Sequence, residues 1–237
     1  MNDKHAGKQP TVLIVGASRG LGYGLAAEFV KRNWRVIGTV RGDKRCLLHD
    51  LAEHHPDSLH IEQLDMVYPE QIAMLKLALQ DEKLDALFIC AGITTGDPLA
   101  LIRDVDAEEF ARVMVTNAYA PLQVMEALQD LVTDIGLIGA MSSGQGSIGN
   151  NLKGQREVYR ASKAALNMLV KAFAAHEENR NRAIVVLAPG WIKTDLGGPD
   201  APFTLEETVP SLVDVLLAKR NRPGAEYLDR FGDTVPW

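Results

Sequence analysis

The chain carries only two cysteines in 237 residues, Cys46 and Cys90, and neither has a second cysteine at metal-ligand spacing. That scarcity argues against a disulfide-stapled or cysteine-ligated framework. Two buried free thiols in a reducing compartment are expected instead. Long apolar runs are lacking too: no window approaches the roughly 18–20 residues that span a bilayer, so no membrane contact is expected. The first ten residues, MNDKHAGKQP, are polar, have no apolar stretch of the kind a secretory leader needs, and read as a loose tail. Basic charge is short, with 25 Lys and Arg against 31 Asp and Glu and a net charge of −6. Phosphate-backbone binding needs clustered cations, so nucleic acid is not an expected partner. Repeats, low-complexity segments and internal linkers are absent. The reading is a soluble cytoplasmic chain, with a flexible tail over 1–10 and a single domain over 11–237.

What the sequence does have is alternation. Short apolar runs at 11–16, 35–40, 58–65, 84–92, 135–143 and 182–190 predict strands, with a last strand at EYLD. Most are too continuously apolar to be half-exposed, as expected when helices cover both faces of a parallel sheet. Amphipathic stretches near 20–33, 43–54, 68–81, 106–131, 157–178 and 205–219 predict helices. Asp106 followed by Glu109 predicts a capping box for the longest central helix. Strand–helix alternation from end to end implies an α/β fold with a doubly wound, mostly parallel sheet.

The first strand runs into VGASRGLG, where Gly16, Gly20 and Gly22 precede a helix. Glycines there permit a tight turn and let backbone approach a pyrophosphate lying at the helix N-terminus. The second strand ends GTVRGD. An NAD site usually carries an acid about 20 residues past the glycines, to hold the ribose 2′-hydroxyl. Here Val40 and Arg41 occupy that place, and Arg41 with Arg19 can hold the 2′-phosphate of NADP by charge-assisted hydrogen bonds. Asp43 would bring an acid close in a slightly different register. Later, GQREVYRASKAALN places Tyr159 and Lys163 four apart, stacked on one helix face. Alone, that pair reads first as surface decoration, with a tuned acid as the sharper alternative.

Six motifs follow in one order: the glycine turn, CAG at 90–92, Asn117 in VTNAYAP, Ser142-Ser143, Tyr159-x-x-x-Lys163, and PGWIKTD at 189–195. Over essentially the whole chain this resembles the short-chain dehydrogenase/reductase family. The resemblance implies a single-domain Rossmann fold with a seven-stranded sheet, binding NADP(H). It implies Tyr159 as general acid for carbonyl reduction, and as base for alcohol oxidation. A phenol titrates near 10, too high for efficient exchange at neutrality, and an ammonium one turn away favours the phenolate. Lys163 is also expected to bond the nicotinamide ribose. Ser143 is expected to hold the substrate carbonyl, chosen by the pattern S-x-x-G in Ser143-Gly144-Gln145-Gly146, with strand alternation turning Ser142 to the opposite face and Ser147 as fallback. Ser143 lies sixteen residues before Tyr159, further than in many members.

In the same resemblance Asn117 holds a water that links the lysine to solvent. Ser18, Arg19 and Leu21 join the three glycines around the cofactor, with Asp65 and Met66 near adenine. Ala91 and Gly92 line it, where the family often reads N-A-G and this chain has Cys90. Pro189, Gly190, the Ile192 backbone and Thr194 lie toward the nicotinamide and phosphate. PGWIKTDLGGPDAP and the ending GDTVPW are similar to the branch of sniffer-type carbonyl reductases and C-factor-like proteins. That branch implies reduction of aldehydes, ketones or quinones, with a small-molecule carbonyl or alcohol as partner. Its other expectation is a nucleotide-binding signalling or redox-sensing protein with incidental catalysis. Trp191, Phe203 and residues 93–98 are expected to line the substrate pocket. The apolar helices around 114–128 and 162–173 imply a homodimer or higher homo-oligomer.

Overall fold

The structure is a computed structural model that describes residues 9–176, 179 and 181–237. Residues 1–8 of the expected tail, and positions 177 and 178 of the expected helix 157–178, lie outside the described residues. The strands are β1 (Thr11–Val15), β2 (Arg35–Val40), β3 (Leu59–Gln63), β4 (Leu84–Ile89), β5 (Val132–Met141), β6 (Ala183–Ala188) and β7 (Gly224–Asp229). They form one seven-stranded sheet in the order β3-β2-β1-β4-β5-β6-β7, with every neighbouring pair parallel. The helices are α1 (Gly20–Lys31), α2 (Leu47–His54), α3 (Pro69–Ala78), α4 (Ala107–Met114), α5 (Ala120–Leu128), α6 (Glu157–Ala174) and α7 (Leu205–Arg220).

Side chains alternate across a strand, so each buried strand feeds two cores. Leu13, Val15, Leu87, Ile89, Ile138 and Ile184 pack with Leu75 of α3, Val124 of α5 and Leu166 of α6. Val12, Ile14, Phe88, Leu137, Val185 and Leu187 pack on the other face with Phe29 of α1, Leu48 of α2 and Leu212 of α7. This explains the unbroken apolar runs: neither side of a central strand meets water.

Four expectations change in detail. The helix expected over 43–54 starts only at Leu47, because Cys46 is its extended N-cap. Residues 106–131 are not one α-helix, since a five-residue π-helical segment, Val115–Tyr119, separates α4 from α5. The capping box forms only by half. Asp106 Oδ1 accepts from Glu109 N at 2.6 Å, but the Glu109 carboxylate turns away to accept from Gly96 N, also at 2.6 Å. Both cysteines are free and half-buried rather than fully buried.

Candidate active site

The strand order reverses between β1 and β4, and in such sheets ligands lie in the crevice beyond the strands' carboxyl ends. The glycine turn occupies that crevice. Gly16 has φ +86°, and a Cβ there would come within 2.8 Å of the Ala91 Cβ. A Cβ on Gly22 would lie 2.0 Å from the Gly16 carbonyl oxygen. Only glycine lets the turn close this tightly. Thr39 on β2 pins it, its Oγ1 accepting from Gly16 N at 3.0 Å and its carbonyl from Ala17 N at 2.9 Å.

The turn delivers an α1 N-terminus with an extended Arg19 as N-cap, no side-chain cap and no acid in the first turn. A helix start left in this state presents unpaired N–H groups and partial positive charge to an anion. Thr194 stands beside it, since a Cβ on Gly20 would meet the Thr194 methyl at 3.6 Å. The Thr194 hydroxyl also accepts from Gly197 N at 3.0 Å, shaping its own loop.

A surface depression of about 380 Å³ continues from the turn, lined by Ser18, Arg19, Arg45, Cys46, Leu47 and Asp50. Of the expected arginines, Arg41 is exposed, whereas Arg19 forms an exposed ion pair with Asp195. Such pairs contribute little, so Arg19 can exchange its carboxylate for a phosphate at small cost. Arg45, which the sequence reading missed, is held by Asp50 and Glu53 at 2.6 and 2.7 Å. Asp65 lies just past β3, half-buried, its Oδ1 accepting from Val67 N at 3.3 Å. Met66 and Ile192 are buried, 4% and 3% exposed, so their side chains belong to the packing. Ala91 N shares the Val15 carbonyl with Cys90 N, carrying the chain from β4 over the crevice. Pro189 and Gly190 follow the end of β6, and Gly190 takes φ +93°.

The four candidate catalytic residues converge at the carboxyl ends of β4 and β5. Asn117 is fully buried in the π-helical segment, where the widened turn aims it at the loop after β4. Its Oδ1 accepts from Ile93 N at 2.8 Å, and its Nδ2 donates to the Ile93 carbonyl at 2.8 Å and to Ser162 Oγ at 3.0 Å. Gly92 sits between Asn117 and Lys163, its Cβ direction 3.5 Å from Asn117 Oδ1 and 3.3 Å from Lys163 Nζ. Lys163 is 3% exposed and donates to the Met141 carbonyl at 2.9 Å. Burial lowers its pKa to about 8.

Tyr159 is 8% exposed, and burial raises its pKa. The nearby charge of Arg156 and the Ser143 side chain pull the other way. Here the electrostatic expectation changes: Lys163 Nζ lies 5.9 Å from the Tyr159 ring centre, while the Arg156 guanidinium lies over it at 4.9 Å. The cation that most eases phenolate formation in the free protein is therefore Arg156. Burial also pushes the neighbouring Cys90 thiol up to about 12, which keeps it protonated.

Ser143 meets Tyr159, but the reason differs from strand alternation. Both serines lie past the end of β5, and both turn toward α6. Ser142 Oγ donates to Asn167 Oδ1 at 2.6 Å, about two turns beyond Tyr159, while Ser143 faces Tyr159 itself. Ser147 is occupied in its own loop, accepting from Asn150 N at 3.2 Å. Tyr227 on β7 donates to the Ser143 carbonyl and so anchors the serine from below. Ser162, Asn167 and Tyr227 were missed by the sequence reading. For the first two a signal existed: Tyr159, Ser162, Lys163 and Asn167 recur on the buried face of α6.

A sequence profile of the short chain dehydrogenases matches residues 10–202. The chain belongs to that family. It is 34% identical over 136 residues to C-signal of Myxococcus xanthus, covering 56% of this chain and 82% of that protein. Among solved structures, a Burkholderia multivorans protein assigned to the short-chain dehydrogenases/reductases, with bound NADP, is 55% identical with a TM-score of 0.95, over 97% of this chain and 100% of that one. The carbonyl reductase Sniffer of D. melanogaster is 27% identical with a TM-score of 0.84, over the same shares. The expected branch is borne out by these likenesses. No helix among the described residues is long and apolar enough to cross a membrane.

Proposed function

We propose that this short-chain dehydrogenase reduces aldehyde, ketone or quinone carbonyls with NADPH. The observation that carries the reading is the meeting of Tyr159, Lys163, Ser143 and Asn117 beside an uncapped helix start at the switch point of the sheet. The residues present fit NADP(H): the tight glycine turn leaves room for a pyrophosphate, and Arg41 stands exposed where a 2′-phosphate needs a cation. A likeness of 55% to an NADP-bound structure supports the same cofactor.

The cofactor, when bound, supplies a hydride to the carbonyl carbon. Ser143 then donates a hydrogen bond to the carbonyl oxygen as negative charge builds there. Tyr159, held protonated by its burial, gives that oxygen its proton, so an alcohol leaves. Lys163 spends one N–H on the Met141 carbonyl and keeps two for the cofactor ribose and a water. Asn117 has its amide hydrogens committed to Ile93 and Ser162, leaving an Oδ1 lone pair near Lys163 across Gly92 for that water. Trp191, half-exposed with Nε1 donating to the Gly197 carbonyl at 2.6 Å, borders the substrate side. Exposed Val115, Tyr119 and Met168 supply an apolar surface for pairing two copies.

The likeness to C-signal favours a second reading, a nucleotide-binding signalling protein in which turnover is incidental. A carbonyl-substrate panel, followed by NADPH absorbance with wild type and Tyr159→Phe together, separates the two. A reductase loses turnover in Tyr159→Phe and keeps NADPH binding. No turnover on any aldehyde, ketone or quinone, or undiminished turnover in the variant, overturns the proposal.

A further inference from the structure

Arg156 occupies a position that local physics opposes. Gly154, Gln155 and Arg156 take φ of +63°, +61° and +57° in succession, and only the first is glycine. Left-handed backbone is unfavourable for residues with a Cβ. Arg156 is also the N-cap of α6 and makes no side-chain cap, so a cation stands at the positive end of a helix. Nor does an ion pair explain it: no carboxylate among the described residues is within ion-pair distance, and Arg156 Nε is buried without a hydrogen-bond partner. Its guanidinium lies instead over the face of the Tyr159 ring, 4.9 Å from guanidinium carbon to ring centre.

Conformational strain retained beside an active site, at a residue laid over the Tyr159 ring, points to a role for that contact. We propose that Arg156 is a positioning residue for proton transfer, a permanently charged guanidinium fixed on the Tyr159 ring by the left-handed entry to α6. The inference rests on the reading of Tyr159 as the proton donor and adds a second cation to it. The groups that face Tyr159 are Arg156 and Lys163 on its own helix, Cys90 past β4, Ser143 past β5 and Tyr227 on β7. Cys90 and Tyr227 hinder the phenolate, and Ser143 eases it by hydrogen bonding. Lys163 loses its own charge near pH 8, where an arginine keeps its charge. Arg156 is thus the charge that remains when the enzyme runs toward alcohol oxidation in alkali.

The test needs no substrate. Ultraviolet titration of the folded protein, with Tyr159→Phe subtracted in each background, reads the ionisation of Tyr159 alone. In Arg156→Met the Tyr159 midpoint rises by about 0.5–2 pH units, the span that a charge about 5 Å away produces between watery and protein-like screening. Arg156→Lys restores part of the shift. Arg156→Gly relieves the left-handed backbone, so its Tm stays level or rises while the midpoint moves as in Arg156→Met. A merely structural Arg156 gives the opposite pattern, with a changed Tm and an unmoved midpoint. An unmoved midpoint in both Met and Gly variants overturns the inference even if the carbonyl panel upholds the reductase. Turnover surviving in Tyr159→Phe removes the reading beneath it instead.

Discussion

Replacing Lys163 by methionine should make the protein more stable at neutral pH while abolishing its activity. The lysine is 3% exposed, and its charged form is poorly compensated by one carbonyl hydrogen bond at 2.9 Å. A fall in pKa from the ordinary 10.5 to about 8 corresponds to roughly 3 kcal/mol against the charged form, at about 1.4 kcal/mol per pH unit. Methionine removes that penalty but leaves the Met141 carbonyl unpaired, which costs about 1–2 kcal/mol. The net gain at pH 7 is about 1–2 kcal/mol, or roughly 3–6 °C in Tm for a chain of this size. The sign with pH follows from linkage. Between about pH 8 and 10.5 the unfolded lysine binds more protons than the folded one, so wild-type stability rises with pH relative to the variant. The advantage of Lys163→Met should therefore shrink by roughly 2 kcal/mol between pH 7 and about 9.5 and vanish there. Denaturant unfolding of both proteins across that range is the assay. A stability difference that stays flat with pH would refute the claim that the buried ammonium is under strain.

Arg41→Ala should reduce NADPH affinity by about tenfold, the worth of one charge-assisted hydrogen bond, and leave NADH nearly unchanged. Titration with both nucleotides checks it, and equal losses for the two would remove Arg41 from the 2′-phosphate. Gly22→Ala places a methyl 2.0 Å from the Gly16 carbonyl oxygen, so the turn must open. It should lose about 1–3 kcal/mol of stability, together with measurable NADPH binding. A stable variant that still binds would show the turn to be more yielding than its contacts imply.

Much of this molecule is legible without coordinates, because the legible parts rest on local physics. Unbroken apolar strands require cover on both faces, amphipathic stretches require one, and glycines at 16, 20 and 22 require a turn that tolerates no side chain. Tyr159 and Lys163 share a helix face whatever the rest of the chain does. What local physics cannot supply is the partner brought from far away. The carboxylate of Glu109 was expected to close its own helix cap, yet a nearby loop offered Gly96 N and won it. The π-helical segment at Asn117 likewise depends on tertiary partners, the Ile93 backbone and Ser162.

Electrostatics moved furthest between sequence and structure. The spacing of Tyr159 and Lys163 implies that the ammonium tunes the phenol, but the fold ties the ammonium to Met141 and lays Arg156 over the ring. Charge acts through distance and burial, and neither is written in a spacing of four. The sequence by itself determined the alternating architecture, the glycine turn and the helix face that carries tyrosine and lysine, since each follows from backbone geometry and nearest neighbours. Only the tertiary structure decided which cation faces the tyrosine and which side chains anchor the site, because β4, β5, β7 and α6 are far apart in the chain and meet only when the sheet closes its order.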